Sequence, residues 1–433
     1  MFVDNENIIT FGANIQIMDK NILRDILVDQ KENFSNRTGL IDRDILVEQY
    51  LTTQQVVVIS GVRRSGKSSL LFLIKEKMKL KPAEFCYCNF DDERITASVQ
   101  TLNDVYTIHV ETYRTEPTFF FDEIQMVAGW EKFVNRMHEQ GRKIFVTGSN
   151  AQLLSSEIST SLTGRNKVIE LWPFSFSEVL RFKERNYDIG QLSVKKRSLL
   201  MNDLQLYLET GGFPLVVKEN DLEIAHDLFQ DILYRDIVTR FKLSNVEEIK
   251  QIGLFMASNV AKLFSYATLQ QISGAKSLSS IKDYLHYYEA SYLFSYLKKF
   301  DFSVKKQIMN SRKAYTVDNA IATRLGFRFT GNNGRLFENC IYIELKRRGK
   351  EIYYFSQKHE CDFLVKENLH ITEAIQVVYS LTSANAQREL AGLQEAMETY
   401  NIPKGTIIVM ESTPDVPLPS NISMIPAYQW LLC

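Results

Sequence analysis

Short, nearly unbroken apolar runs recur between residues 55 and 171: Gln55–Ser60 (QVVVIS), Glu84–Phe90 (EFCYCNF), Thr118–Phe121 (TFFF), Lys143–Thr147 (KIFVT) and Lys167–Leu171 (KVIEL). Stretches of helical periodicity separate them. Strands that are apolar on both faces and alternate with helices predict right-handed crossovers and a buried, mostly parallel sheet. The first fifty residues read as helical and partly amphipathic, as in Ile22–Val28 and Ile45–Tyr50. Residues 174–245 read as helices interrupted by Gly211-Gly212-Phe213-Pro214, a sharp turn signal. Several short helical patterns then lead into an aromatic, basic stretch. From residue 316 the pattern is again mixed: a helix over Arg335–Arg348, then strands over Ile352–Ser356, Cys361–Lys366 and Ile371–Val378.

With 433 residues, 45% of them hydrophobic and 24% charged, the chain is long enough for two or three domains, each with its own core. Lys plus Arg (51) and Asp plus Glu (52) nearly cancel to a net charge of −1, which excludes a globally basic nucleic-acid coat and an acidic disordered tail. Met1–Thr10 carries acids where a secretory leader needs bases, and no apolar run approaches the roughly 18–20 residues that cross a bilayer. The expectation is a cytoplasmic protein with no membrane partner. Five cysteines (Cys86, Cys88, Cys340, Cys361, Cys433) suit a reducing compartment. Cys86 and Cys88 alternate along a predicted strand and lack a second Cys or His pair at zinc spacing, so they read as structural thiols.

Chemistry enters at Gly61-Val62-Arg63-Arg64-Ser65-Gly66-Lys67-Ser68, a full match to G-x-x-x-x-G-K-[ST]. It follows the run Val56–Ile59 and opens a helix with Ser69, which is the context this phosphate loop requires. Glycines let the backbone wrap an anion, and the loop amides and helix N-terminus face it. Lys67 would reach the β- and γ-phosphates of ATP, and Ser68 would ligate Mg²⁺. The next strand but one ends in Asp122-Glu123. Asp122 would support the metal and Glu123 would polarise the attacking water, although two acids after a strand are also ordinary turn chemistry. The strand after that ends in Thr147-Gly148-Ser149-Asn150, where Ser149 and Asn150 either sense the γ-phosphate or cap a helix. Arg63 and Arg64 read as phosphate contacts or as solvated loop charges. Arg165 is a candidate for transition-state contact, in cis or as an arginine finger toward a neighbouring subunit; Arg235 is a further candidate in trans.

Together these residues resemble a prokaryotic AAA+-like ATPase family, close to the archaeal-type ATPases of the STAND group. The resemblance runs through residues 61–68, Phe-Asp-Glu-Ile-Gln (121–125), Thr-Gly-Ser-Asn (147–150), Ser-Leu-Thr-Gly-Arg (161–165) and Trp172-Pro173-Phe174-Ser175-Phe176. It continues through Gly-Gly-Phe-Pro (211–214), Tyr234-Arg235-Asp236, Phe337-Glu338-Asn339, Glu360-Cys361-Asp362-Phe363 and Ile375-Gln376-Val377. It implies ATP binding and hydrolysis, a winged-helix segment and a C-terminal restriction-nuclease-like fold.

Residues 260–290 also read directly as helix-turn-helix, with Thr268–Ile272, the turn Ser273-Gly274-Ala275 and Ser279–Tyr292. From Lys276 to Lys313 there are eight Lys or Arg against three acids, interleaved with Tyr284, Tyr287 and Tyr288. Such a stripe makes DNA a candidate partner, the alternative being a solvated basic face on a small helical domain. Under the resemblance, Glu338, Asp362 and Gln376 take the places of a nuclease's acidic framework, and the lysine position falls on Val378. Valine cannot hold a positive charge, so a degenerate nuclease fold kept for binding or assembly is expected, with Lys346 and Lys366 as candidate substitutes.

The sequence thus predicts an α/β fold: a P-loop NTPase parallel sheet of AAA+ type, a helical and winged-helix segment, and a C-terminal α/β nuclease-like domain. The divisions are 1–50 (N-terminal helical segment), 51–175 (ATPase core), 176–245 (helical lid), 246–315 (winged-helix-like module) and 316–433 (C-terminal domain). The function read from it is a Mg²⁺-dependent ATPase whose nucleotide state controls the downstream modules, acting on DNA or on an unidentified protein, with a homo-oligomer as a further candidate partner. The alternatives are a nucleotide-gated switch with negligible turnover and an ATP-coupled nuclease.

Overall fold

A computed structural model of the chain describes residues 18–149, 164–326, 333–412 and 416–433. The first sheet is fully parallel, in the order β2 (Phe85–Asn89), β3 (Thr118–Asp122), β4 (Ile144–Gly148), β1 (Val56–Ser60) and β5 (Asn166–Glu170). Every residue of β1 is buried, as a central strand covered on both faces must be. All five apolar runs became strands within a residue or two of their expected ends.

The N-terminal helix Lys20–Ser35 is no separate segment: it packs on β2 and on the helix Val99–Tyr113. Its Phe34 stacks on Tyr87 with ring centres 3.9 Å apart. The expected helix over Ile45–Tyr50 shrinks to Glu48–Leu51. Upstream of it, Arg43 and Asp44 are tied to Glu178, Ser175 and Ser177, and these side-chain bonds hold the backbone out of a helix.

Helices from Phe176 to Ser258 follow, and between them the turn at Gly211-Gly212 is forced by crowding. A Cβ on Gly211 would strike the Asp318 carboxylate, and one on Gly212 the Phe174 carbonyl. After Asp231 the helix widens to π geometry over Ile232–Thr239, carrying Tyr234, Arg235 and Asp236.

Next come β6 (Leu263–Phe264), the helices Tyr266–Ser273 and Leu278–Ala290, β7 (Phe294–Lys298), a short helix Val304–Met309 and β8 (Arg312–Thr316). The three strands form an antiparallel sheet in the order β6-β8-β7. The last sheet is mixed, in the order β13 (Ile422–Pro426), β12 (Gly405–Ser412), β11 (His370–Leu381), β10 (Glu360–Glu367) and β9 (Glu351–Ser356). Packing does not part at residue 316: the helix Asn319–Leu325 lies against Glu223–Asp231 and Val194–Thr210, and one apolar core runs from Val62 through the helices to Leu431. Among the described residues no helix is long and apolar enough to cross a membrane. Four cysteines are buried and Cys433 is exposed, all of them free thiols.

Candidate nucleotide site

Parallel register sets the carboxyl ends of β1, β4 and β3 side by side: Ile59 pairs with Thr147, and Phe121 with Val146. The loop 61–66 leaves β1 at that edge. A Cβ on Gly61 would collide with the Leu171 carbonyl, so only glycine lets the chain turn there. Gly66 takes φ 99° and hands the chain into the helix Lys67–Lys77. Val62 is buried in the core, and Ser68 and Ser69 begin the helix half-buried. Lys67 is buried and curls over its own loop, donating to the carbonyls of Gly61 and Val62 at 3.1 Å each. Its ammonium stands 3.6 Å from Glu123 Oε1. Ser65 Oγ is buried in the same loop with no hydrogen-bond partner among the described residues.

Asp122, at the end of β3, is wholly buried. It accepts from Tyr87 Oη at 3.1 Å and from Thr147 Oγ1. Burial and the neighbouring Glu123 charge push its carboxyl up, while Ser68, Thr147 and Tyr87 oppose that by hydrogen bonds. Glu123 sits in the left-handed region at φ 51°, and its N–H donates to Thr147 Oγ1 at 2.9 Å. Burial acts to raise the Glu123 carboxyl, but Lys67, Gln125, Arg63 and Ser149 outweigh it and hold the group below its ordinary range. Glu123 is therefore ionised at neutral pH and fit to accept a proton-bearing partner. Ser68 and Asp122 offer adjacent hard oxygen donors, and among the described residues the buried Asp122 carboxyl has no ion-pair partner; both features fit Mg²⁺.

The arginines have other partners. Arg63 forms a two-point ion pair with Asp236 at 2.9 and 3.0 Å, and Arg64 pairs with Asp231 at 3.2 Å. Arg63 joins the loop to the π-widened helix, whereas Arg64 is 46% exposed and reaches only the last residue of the helix before it. Arg165 in cis is corrected: it precedes β5 at the amino end of the parallel sheet, opposite the phosphate loop, and binds Asn135 and Glu139 at 2.7 and 2.9 Å. Arg235 is 67% exposed and lies 3.8 Å from Asp231. Ser149 is buried and 3.4 Å from the Gln125 amide; Asn150 lies outside the described residues.

A cavity of about 860 Å³ opens on this edge. Lys67, Ser68, Asp122 and Glu123 line one end, and Ile41, Leu73, Phe174, Phe182 and Leu215 the other. Arg43, which the sequence reading missed, closes its wall by bonding the Ser65 carbonyl (3.1 Å), the Trp172 carbonyl (2.7 Å) and Glu178 (2.8 Å). Thr147 and Gln125 stood inside quoted motifs without a role, although their place at a strand end beside the acids marked them. Tyr87 gave no such signal.

In the C-terminal region, Glu338 from the helix Asn333–Arg347 and Asp362 from β10 do converge, but on a lysine that the sequence reading had counted as surface. Lys313 Nζ, from β8, lies 2.9 Å from Glu338, 2.7 Å from Glu360 and 3.2 Å from Asp362, and is buried. Tyr315 Oη donates to Glu338 at 2.7 Å, and the Val377 N–H to Asp362 at 3.0 Å. Gln376 accepts from the Asp362 N–H and donates to Glu389. Lys366 is held by Glu351 at the far end of the strand pair, and Lys346 is the charge felt by Glu170. Neither substitutes for the missing lysine.

The basic stripe is also redrawn, since Lys313, Tyr284 and Tyr288 are buried. One bond joins this region to the nucleotide edge: Tyr292, at φ 62°, meets the Ser60 hydroxyl at 2.8 Å, one residue before the phosphate loop.

Residues 53–180 match a family described as an AAA domain, and residues 201–333 match a domain of unknown function, DUF8612, which crosses the expected divisions at 245 and 315. The chain is 35% identical to the uncharacterized protein MJ1544 of Methanocaldococcus jannaschii over 402 residues, covering 89% of this chain and 88% of that protein. It is 31% identical to an uncharacterized protein of Haemophilus influenzae, covering 75% of this chain and 86% of the other. Among solved structures, the replication initiator DnaA bound to AMPPCP and single-stranded DNA aligns at 15% identity over 60% of this chain and 91% of that one, with a TM-score of 0.28, too slight a likeness to argue from. The 35% identity to MJ1544 over nearly the full length of both chains places this chain in that protein's family, with an AAA domain over residues 53–180 that contains the phosphate loop.

Proposed function

We propose that the chain binds and hydrolyses Mg-ATP at the carboxyl edge of its first sheet and passes nucleotide occupancy to the modules that follow. The observation that carries this is the convergence of Lys67, Ser68, Asp122 and Glu123 on one cavity, with buried Thr147 bonded to both acids behind it. Among the described residues Lys67 has only neutral carbonyls at hydrogen-bond distance, so a phosphate is the better partner and draws it off the loop. Ser68 and Asp122 would hold Mg²⁺, which supplies charge neutralisation at the phosphates. Glu123 orients a water for in-line attack on the γ-phosphorus and accepts its proton, and ADP leaves with the bond electrons. Thr147 fixes both acids, and Ser149 or Asn150 would sense the γ-phosphate.

Two bonds support transmission. Arg63–Asp236 leads to the helices 176–245, read as a lid, and Ser60–Tyr292 leads to 246–315, whose element order supports a winged-helix reading. In an oligomer, exposed Arg235 or Arg165 would serve a neighbouring site in trans. The C-terminal domain is read as a degenerate nuclease-like fold used for assembly, a reading supported by Lys313 filling its carboxylate cluster. Four lysines at Lys298, Lys299, Lys305 and Lys306 favour a second reading, action on DNA. Phosphate release measured with and without duplex DNA tests both. Wild type should turn over, and Glu123→Gln should fall by about 10²-fold or more while still binding ATP. Absent turnover with intact binding would leave a nucleotide-gated switch.

A further inference from the structure

The helices Tyr266–Ser273 and Leu278–Ala290 and the β7–β8 connection enclose a cleft of about 530 Å³. Tyr296 on β7 pairs with Ala314 on β8, two residues from Arg312, so Tyr296 and Arg312 share one face of the sheet and together line the cleft. Tyr296 is 8% exposed, and its hydroxyl is buried with no hydrogen-bond partner among the described residues; the same holds for Arg312 Nε. Buried donors left unpaired are costly, and two at the bottom of one cleft point to an acceptor that enters from outside. Charge points the same way. Lys282 Nζ and the Arg312 guanidinium lie 5.9 and 5.8 Å from the centre of the Tyr266 ring, two cations on one aromatic, with Glu289 as the only carboxylate in the lining.

The rest of the wall is His286 and the aliphatic Leu278, Leu285, Ile308 and Met309. Met309 of this wall is 75% exposed, and earlier in the same β7–β8 connection Phe302 is 83% and Val304 69% exposed, beside Lys305 and Lys306. Exposed apolar side chains on a connection that walls a cationic cleft suit a contact surface.

We propose that this cleft seats an acidic, aliphatic-bearing peptide segment of a partner protein. A carboxylate accepts from Tyr296 Oη and Arg312 Nε and neutralises Lys282, while aliphatic side chains cover Ile308, Met309 and Phe302. Nucleic acid fits less well. A polyanion lies along exposed cations, whereas the exposed face of Leu278–Ala290 sets Asp283 and Glu289 against Lys282, and a narrow apolar-walled cleft excludes a duplex.

The test is fluorescence anisotropy on the full chain, using the tightest binders from an array of acidic-aliphatic decapeptides, with basic-aliphatic decapeptides and short duplex DNA as comparisons. Acidic-aliphatic peptides should bind and basic ones should not. Arg312→Gln and the surface change Met309→Asp should each weaken binding roughly tenfold or more. Tyr296→Phe should weaken it without lowering thermal stability, since only an unpaired hydroxyl is removed. ATP turnover should be unchanged in all three, which separates this inference from the nucleotide reading. The proposal is overturned if no acidic peptide binds, if basic peptides bind equally, or if duplex DNA displaces the peptide and loses affinity in the same variants.

Discussion

Lys67 and Lys313 are both buried beside carboxylates, and they are built oppositely. Lys67 lies 3.1 Å from two backbone carbonyls and 3.6 Å from Glu123, at the wall of an 860 Å³ cavity. Lys313 lies within 3.2 Å of three carboxylates. The first ammonium is weakly satisfied and can be given to an incoming phosphate. The second is saturated, and its job is done once the β8 strand is fastened to the last sheet. What separates a binding lysine from a structural one here is how many of its charge-bearing partners are already in contact.

Removing each lysine should expose that difference. Lys313→Met leaves Glu338 and Asp362 buried without their cation, and loss of one partner of a buried pair costs about 3–5 kcal/mol. Urea unfolding should show this loss, with partial recovery when Glu338→Gln is added. Lys67→Met should change stability far less.

A second effect distinguishes the clusters by pH. Burial first, and the Asp362 charge second, raise the Glu338 carboxyl from 4.5 to about 7, with Lys313 and Tyr315 opposing. The folded state then binds this proton more tightly than the unfolded chain does. The stability it contributes is full below about 4.5 and is lost as pH rises toward 7. The urea midpoint should decline over that window in wild type and decline less steeply in Glu338→Gln, the remainder following Asp318, whose carboxyl burial also raises to about 7.

Smaller still, Thr147→Val removes the hydroxyl shared by Asp122 and the Glu123 N–H, and should lower turnover more than ATP affinity. Phosphate-release kinetics would show this. Smallest, Tyr292→Phe deletes one hydrogen bond to Ser60, worth about 1 kcal/mol, and thermal melts should register a slight loss.

The first sheet was legible because each strand is a contiguous apolar run, and the phosphate loop because its chemistry lies within eight consecutive residues, 61–68. The helix pair 266–290 was legible through its Gly274 turn, while its starts at Tyr266 and Leu278, set by the caps Ser265 and Ser277, were not. What escaped depends on contacts between distant segments. Lys313 meets Asp362 across 49 positions, Arg43 meets Glu178 across 135, and Tyr292 meets Ser60 across 232. No local pattern marks such a residue. Lys313 was counted with the surface charges because sequence shows its sign and not its burial. Arg165 misled for a related reason: adjacency to a strand does not say which end of the sheet it occupies.

The central claim is that Lys67 and its loop hold the triphosphate of Mg-ATP. Isothermal titration of Mg-ATP into wild type and Lys67→Ala, with melting curves showing both folded, tests it most directly. Saturable heat in wild type that vanishes in the variant is the predicted result. Equal affinity in the two proteins, or no heat in either, would contradict it.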